Sequence, residues 1–214
     1  MLTKNNPSYD FFKDELEKIA KLDLVLDLGT SSRFAKELAD FKSYFKDNYF
    51  ALGYDPKICE SDSDCDIDGD ITKLPIKNTC VDGIICLEVL EHVVNPFKAV
   101  DEMYRILKPK GQILLSVPFL APYHGKSLAK QNFSHDSYPD FWRFTHQGLE
   151  QLFHKFKKVK IIPVTNTLAY FVYDVFPGSI IPILNSKLMQ SLVNKLMKKQ
   201  VPCSTRRHIV VAQK

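Results

Sequence analysis

The most constraining feature of the sequence is a series of short apolar segments that alternate with segments of helical periodicity. The first apolar run, LDLVLDLG (22–29), is too short for a buried helix and ends at a glycine, which is typical of a buried strand. Two serines at 31 and 32 then suit the N-cap of a helix. The same patterns predict strands at 49–55, 65–71, 81–87, 112–118, 158–164 and 208–213, and helices at 8–20, 34–41, 96–107 and 145–153.

This alternation predicts an α/β fold, namely a Rossmann-like, seven-stranded, mostly parallel sheet with helices on both faces. We expect the last strand to run antiparallel and a helical insertion to precede it. Ligands of such sheets bind outside the carboxyl ends of the strands. The functional argument therefore rests on residues 27–32, 55, 70–71, 87–92 and those that follow 118.

Several of these strand ends resemble those of class I S-adenosylmethionine-dependent methyltransferases, and most closely a small bacterial group with a LEHV segment. The similarity runs from about Leu24 to about Val164 and resumes at the last strand. It is carried by VLDLGTSS (25–32), ALGYD (51–55), GDITKLP (69–75), FWRFTHQGL (141–149) and the long segment 81–118, which contains LEVLEHV and LKPKGQILLSVP. The resemblance implies S-adenosylmethionine as cofactor and methyl transfer as the reaction.

The resemblance also assigns cofactor contacts. It implies that the loop after the first strand binds the methionyl carboxylate and that the acid that ends the second strand binds the ribose. The pair of residues after the third strand would bind the adenine. The end of the fourth strand would lie beside the methionine part and the adenine. The residues concerned are Asp27, Gly29, Thr30 and Ser31, then Asp55, then Asp70 and Ile71, and last Leu87 and Glu88.

The residues themselves support these contacts and leave alternatives open. Backbone N–H groups at a strand-to-helix turn suit a carboxylate, yet the loop has one glycine where the family has several. Gly29 could therefore belong to a plain turn. Asp55, before Pro56, could be a solvated turn acid rather than an acceptor for ribose hydroxyls.

No metal site is predicted. DCDIDG (64–69) resembles the start of an EF-hand loop, but its twelfth position is Pro75 rather than a bidentate glutamate. Glu91 and His92 lack a second histidine at helical spacing, so we interpret His92 as a structural residue at the start of a helix.

Candidate catalytic residues lie in the loop-like stretch 118–145, which is rich in Pro, Gly, Ser and Asn. A hydroxyl or amine acceptor needs a general base, and histidine titrates near neutral pH. His135, oriented by Asp136, and His124 are the candidates, while both could merely shape the loop. We interpret Trp142 and Phe144 as packing residues and Arg143 as an ion-pair partner.

Residues 165–203 form an outsized insertion before the last strand. Its first half is apolar and its second half carries lysines, while Pro177, Gly178 and Pro182 disfavour a transmembrane helix. Three interpretations remain open for it: a cap over the substrate pocket, a homodimer surface, and a peripheral membrane contact.

Charge narrows the range of partners. The net charge of +4 is concentrated at the end of the chain, where seven basic residues and no acid follow Asp174. The rest is slightly acidic and has no NPPY-like string, so we expect no nucleic-acid partner. The absence of GxGxxG from the sequence disfavours an NAD enzyme.

We therefore predict methyl transfer to a small-molecule or glycan or lipid-precursor acceptor. The alternative is a non-catalytic, methyltransferase-like binding protein that has lost cofactor affinity. No signal peptide is apparent, and the five cysteines contain no CxxC, so a cytoplasmic location is expected. Residues 1–214 are taken as one domain, with an N-terminal helix (8–20), a cofactor-binding half (24–118), a substrate-side half (119–164), the insertion (165–203) and the last strand (207–213).

Overall fold

A computed structural model of the protein describes residues 8–30, 36–53, 65–125, 139–164 and 205–214. Within these ranges seven strands form one sheet in the order β3-β2-β1-β4-β5-β7-β6. The strands are β1 (Val25–Leu28), β2 (Tyr49–Gly53), β3 (Ile67–Asp68), β4 (Val81–Leu87), β5 (Leu107–Pro118), β6 (Lys158–Pro163) and β7 (Arg207–Gln213). The α-helices are α1 (Tyr9–Ala20), α2 (Pro96–Ile106) and α3 (His146–Leu152), and 3-10 helices lie at Lys36–Tyr44 and Leu90–His92.

The direction of the strands confirms the predicted fold class. Strands β1 to β5 pair in parallel, whereas β7 runs antiparallel to both β5 and β6. The carboxyl ends of the first five strands therefore meet at one edge of the sheet, which is where a ligand is expected.

Both faces of the sheet are buried because alternate side chains of each strand point to opposite sides. On one face, Leu26, Ile84 and Leu115 pack with the apolar sides of α2 and α3. On the other face, Val25 and Ile85 pack with α1. The central strands are thus apolar throughout, as the continuous apolar runs predict.

The predicted α-helix at 34–41 is wrong in type. The described part of this segment is the 3-10 helix Lys36–Tyr44. Its apolar residues Leu38, Phe41 and Tyr44 recur every three positions and pack with the α1 side of the core, a spacing that suits three residues per turn. The expected serine cap lies outside the described residues.

Two strand boundaries also differ from prediction. Strand β5 begins at Leu107 rather than 112, because Leu107 already pairs with Val81. The register then shifts before Gln112 pairs with Gly83, and Lys110, within the shifted stretch, has a φ of 69°. Strand β3 covers Ile67–Asp68 rather than 65–71. Asp70 ends it, since its Oδ1 accepts from the backbone and hydroxyl of Thr72 and turns the chain away.

Among the described residues, no helix has the length and apolar character needed to cross a membrane. The segment 165–203, for which the sequence disfavours a transmembrane helix, lies outside the described residues.

The buried histidine of β7 gives a prediction about pH. His208 is 1% exposed, and burial, helped by the nearby His146, lowers its pKa from 6.5 to about 4. Between those values the unfolded chain binds a proton that the folded chain excludes, so stability falls as pH drops from 6.5 to 4. The loss is about 3 kcal/mol.

His208→Leu should remove this component, because an apolar side chain has no proton to bind. We expect the free energy of unfolding, measured by urea denaturation at pH 7 and pH 4.5, to change less in His208→Leu than in the wild type. His154 is exposed, so His154→Gln is the matched control and should show the same change in the free energy of unfolding between pH 7 and pH 4.5 as the wild type. An equal change in the free energy of unfolding for His208→Leu and the wild type would contradict the role assigned to His208.

Candidate active site

The turn after β1 is held close to the end of β4. Gly29 has a φ of 75°, and a Cβ atom built on it would lie 2.5 Å from Cγ1 of Val89. The Gly29 N–H donates to the carbonyl of Leu52 at 2.8 Å. Gly29 therefore allows the turn to pack tightly against Val89, and its own N–H is already used in the bond to Leu52.

Asp27 supports this turn from beneath. Its carboxylate is buried and accepts a hydrogen bond from the Tyr49 hydroxyl at 2.5 Å. The bond ties β1 to β2 just before both strands reach the carboxyl edge. Asp27 is thus placed to position the turn, whereas Thr30, half-buried, lies beyond it and accepts from the Cys65 thiol at 3.6 Å.

Glu88 ends β4 in a conformation that is rare outside glycine, with a φ of 55°. Its Oε1 accepts from the Ser116 hydroxyl at 2.7 Å, and its Oε2 lies 3.5 Å from Nη2 of Arg207. Contacts from β5 and β7 thus fix the Glu88 carboxylate at the carboxyl edge. Leu87 before it is half-buried and packs with the α1 side of the core.

The predicted adenine contacts lie after β3, at the outer end of the same edge. Asp70 is exposed, and its Oδ1 is used by the Thr72 turn, while Ile71 is buried against Leu52 and Leu74. The structure therefore brings the predicted cofactor residues of β1, β3 and β4 to one edge. Ser31, Asp55 and His135 fall outside the described residues.

A cavity of about 290 Å³ adjoins Glu88. Its other lining residues come from the segment after β5 and from the start of β7: Pro118, Ala121, Pro122, His124, Arg206 and Arg207. Basic groups outnumber the one carboxylate in this wall. Arg206 and Arg207 are not among the site residues predicted from the sequence, although the basic end of the chain was a signal for them.

The segment that follows β5 is held by Arg143. Its guanidinium donates to the carbonyls of Ala121 and Pro122 at 3.1 and 2.8 Å, and to Oδ2 of Asp140 at 2.7 Å. Asp140 in turn accepts from the His124 backbone N–H at 2.9 Å. Burial opposes ionisation of Asp140, but these two donors lower its pKa to about 2. Arg143 is thus the predicted ion-pair partner.

Beside the cavity, Glu91 lies in the 3-10 helix Leu90–His92 with 0% exposure. Its Oε1 is 3.8 Å from Nε2 of His92 and 3.9 Å from Nε2 of His124. Burial raises the pKa of Glu91 to about 8, and the negative charge of Glu88 adds to the rise. Burial also lowers the pKa of His92. The sequence places His124 far from this pair, so their convergence was not predicted.

The strand order, with β7 antiparallel at its place between β5 and β6, defines the class I methyltransferase fold. Residues 26–115 match the family model described as a methyltransferase domain. This match, which runs from β1 to β5, and the shared fold support a class I S-adenosylmethionine-dependent methyltransferase domain with S-adenosylmethionine as its cofactor, in agreement with the resemblance seen in the sequence. The tight turn at Gly29 and the fixed carboxylate of Glu88, both at the carboxyl edge, fit such a ligand. No curated protein matches the sequence.

Solved structures share the fold at low identity. An S-adenosylmethionine-dependent methyltransferase from Archaeoglobus fulgidus is 14% identical with a TM-score of 0.58, over 96% of this chain and 92% of that chain. One from Mesorhizobium loti is 12% identical with a TM-score of 0.56, over 97% of each chain. Haemonchus contortus phosphoethanolamine N-methyltransferase 2, in complex with S-adenosyl-L-methionine, is 14% identical with a TM-score of 0.54, over 96% of this chain and 52% of that chain.

Proposed function

We propose that the protein transfers the methyl group of S-adenosylmethionine to a small molecule or to a glycan or lipid precursor that carries an anionic group. The observation that supports this acceptor is the cavity next to Glu88, whose wall includes Arg206 and Arg207. Arginine matches the geometry of phosphate and carboxylate. An acceptor bound there would lie at the carboxyl edge beside the cofactor site.

The cofactor supplies a methyl group that its sulfonium has already activated. The chain's contribution is to hold cofactor and acceptor in line and to exclude water. We assign cofactor contact to Gly29, Thr30, Ser31, Asp55, Asp70, Ile71, Leu87 and Glu88, and a positioning role to Asp27 through Tyr49. Of these, Ser31 and Asp55 are assigned from the sequence alone.

His124 is the described candidate for contact with the reacting group of the acceptor. It lines the cavity, its side chain is 46% exposed, and its backbone is fixed by Asp140. A histidine so placed is able to accept the acceptor's proton or to orient it. His135 remains a second catalytic candidate from the sequence, and residues 165–203 remain a proposed cap, dimer surface or membrane contact.

The test uses the full chain with S-adenosylmethionine and a panel of paired acceptors, each with and without a phosphate or carboxylate. Formation of S-adenosylhomocysteine is measured. We expect turnover with anionic members of the panel. Turnover of the neutral members alone would contradict the proposed acceptor class. No turnover of any member together with no binding of S-adenosylhomocysteine would favour the non-catalytic alternative, which has lost cofactor affinity.

Arg206→Gln provides a sharper test of acceptor recognition. Loss of one guanidinium from the wall should raise the KM for the anionic acceptor about tenfold, the value of one charged hydrogen bond. The dissociation constant of S-adenosylhomocysteine should stay unchanged. Lys155→Ala, which removes an exposed ion pair with Asp101, is the matched control. An unchanged KM in Arg206→Gln would remove this residue from acceptor binding.

A further inference from the structure

We propose that Glu91, His92 and His124 bind a divalent transition-metal ion of the Zn²⁺ class. One ligand atom from each residue lies within 4.8 Å of the other two. Two imidazoles and a carboxylate form a ligand set typical of such ions, whereas Mg²⁺ and Ca²⁺ prefer oxygen alone. This inference goes beyond the proposed methyl transfer and does not depend on it.

The first argument is the state of Glu91. Its side chain is fully buried, and within the described part of the chain neither carboxylate oxygen has a hydrogen-bond partner. Leaving a buried carboxylate without partners is costly, and buried charges are usually paired or bound to metal. The two nearest imidazole nitrogens, at 3.8 and 3.9 Å, are too distant for hydrogen bonds.

The second argument is the orientation of the two imidazoles. Nδ1 of His92 lies 2.5 Å from the carbonyl oxygen of Pro139. Nδ1 of His124 lies 3.3 Å from the carbonyl of Pro122 and 3.4 Å from Oδ2 of Asp140. In the tautomer with its proton on Nδ1, each ring donates to these acceptors and directs the lone pair of Nε2 toward Glu91. Metal-binding histidines are held by outer contacts of this kind.

Two imidazole nitrogens thus approach a buried carboxyl group that has no hydrogen-bond partner among the described residues, an arrangement that a bound cation would stabilise. Ligand atoms around a tetrahedral zinc ion are separated by about 3.4 Å, given bonds of about 2.1 Å. The distances from Glu91 Oε1 exceed this by about half an ångström, and all three ligand atoms lie within 4.8 Å of one another, so side-chain rotations would have to draw them together around an ion. His124 also lines the cavity, so an ion held by these residues would lie beside it.

The surroundings hold the three residues in place. The Glu91 carbonyl accepts from the backbone N–H of Phe141 at 2.7 Å, and the Trp142 indole donates to the carbonyl of Val93 at 2.9 Å. The segment that contains Asp140 is therefore fastened directly over the helix that carries Glu91.

The experiment is a titration of the chelator-treated full chain with Zn²⁺ by calorimetry, without cofactor. We expect one equivalent to bind, and Glu91→Gln and His124→Ala each to weaken binding by roughly tenfold to a hundredfold or more. His146→Ala is the control, because His146 faces Glu150 at 3.5 Å in an exposed pair on α3. It should bind as the wild type does.

Substitution with Co²⁺ identifies the ligands. We expect the visible bands of a low-coordinate nitrogen and oxygen site, without thiolate charge-transfer bands. No binding by the wild type, binding that survives both substitutions, or thiolate bands would each overturn the proposal. If Glu91→Gln fails to fold, His124→Ala still tests the proposal, because it removes a different ligand. S-adenosylhomocysteine is titrated in parallel, so that loss of metal binding is distinguished from failure of the methyltransferase assignment.

Discussion

Gly29→Ala is expected to weaken binding of S-adenosylhomocysteine by roughly tenfold to a hundredfold. Two effects combine. A side chain at a φ of 75° costs about 1–2 kcal/mol, and the new Cβ would lie 2.5 and 2.7 Å from the two γ-carbons of Val89. Val89 is β-branched and has few alternative rotamers. The turn must therefore shift away from the cofactor, and each 1.4 kcal/mol lost corresponds to tenfold in affinity.

Calorimetric titration of the variant checks this, with Val89→Ala and the double variant as controls. Val89→Ala alone should bind nearly as the wild type does. The double variant removes the steric contact but keeps the unfavourable φ, so it should recover only part of the affinity. Gly29→Ala with wild-type affinity would show that the cofactor does not approach this turn.

Arg143→Ala is expected to reduce turnover on the order of a hundredfold while leaving S-adenosylhomocysteine affinity unchanged. The guanidinium joins the carbonyls after β5 to Asp140, and Asp140 fixes the His124 backbone. Without it, Asp140 loses its counter-charge close to the buried Glu91. The cavity wall would then move, and displacements of about 1 Å in a positioning residue cost about this much in rate.

The measurement is kcat for the best acceptor in the panel, together with cofactor affinity. Arg143→Lys keeps the positive charge but lacks the several N–H donors of the guanidinium. Its kcat should therefore lie between that of the wild type and that of Arg143→Ala. The exposed Lys155→Ala should behave as the wild type. A kcat within twofold of wild type for Arg143→Ala would show that this anchor does not shape the acceptor site.

The sequence predicts the sheet well because its central strands are buried on both faces. The apolar runs at 81–87 and 112–118 are too short for buried helices and therefore predict strands. A helix lies between them in the sequence, which predicts that the two strands pair in parallel. The boundaries are less predictable. The bulge after Leu107 depends on pairing with Val81, and the short β3 depends on a turn made by Asp70 with Thr72. Neither is encoded in local periodicity.

The cofactor side of the site follows from the sequence for a similar reason, since strand ends meet wherever strands are parallel. The acceptor side does not. His124 lies near Glu91 because the chain after β5 folds back, and hydrogen bonds from Arg143 and to Asp140 hold it there. Arg207 reaches Glu88 because β7 pairs antiparallel with β5. Both contacts depend on tertiary structure that no spacing rule describes.

The most direct test of the account is a crystal structure of the full chain grown with S-adenosylhomocysteine. We predict electron density for the ligand at the carboxyl ends of β1 and β4, in contact with the turn at Gly29 and beside Glu88, with its sulfur facing the cavity that His124 lines. Density at another surface, or protein side chains filling the cleft between Gly29 and Glu88, would contradict the assignment of this edge as the methyl-transfer site.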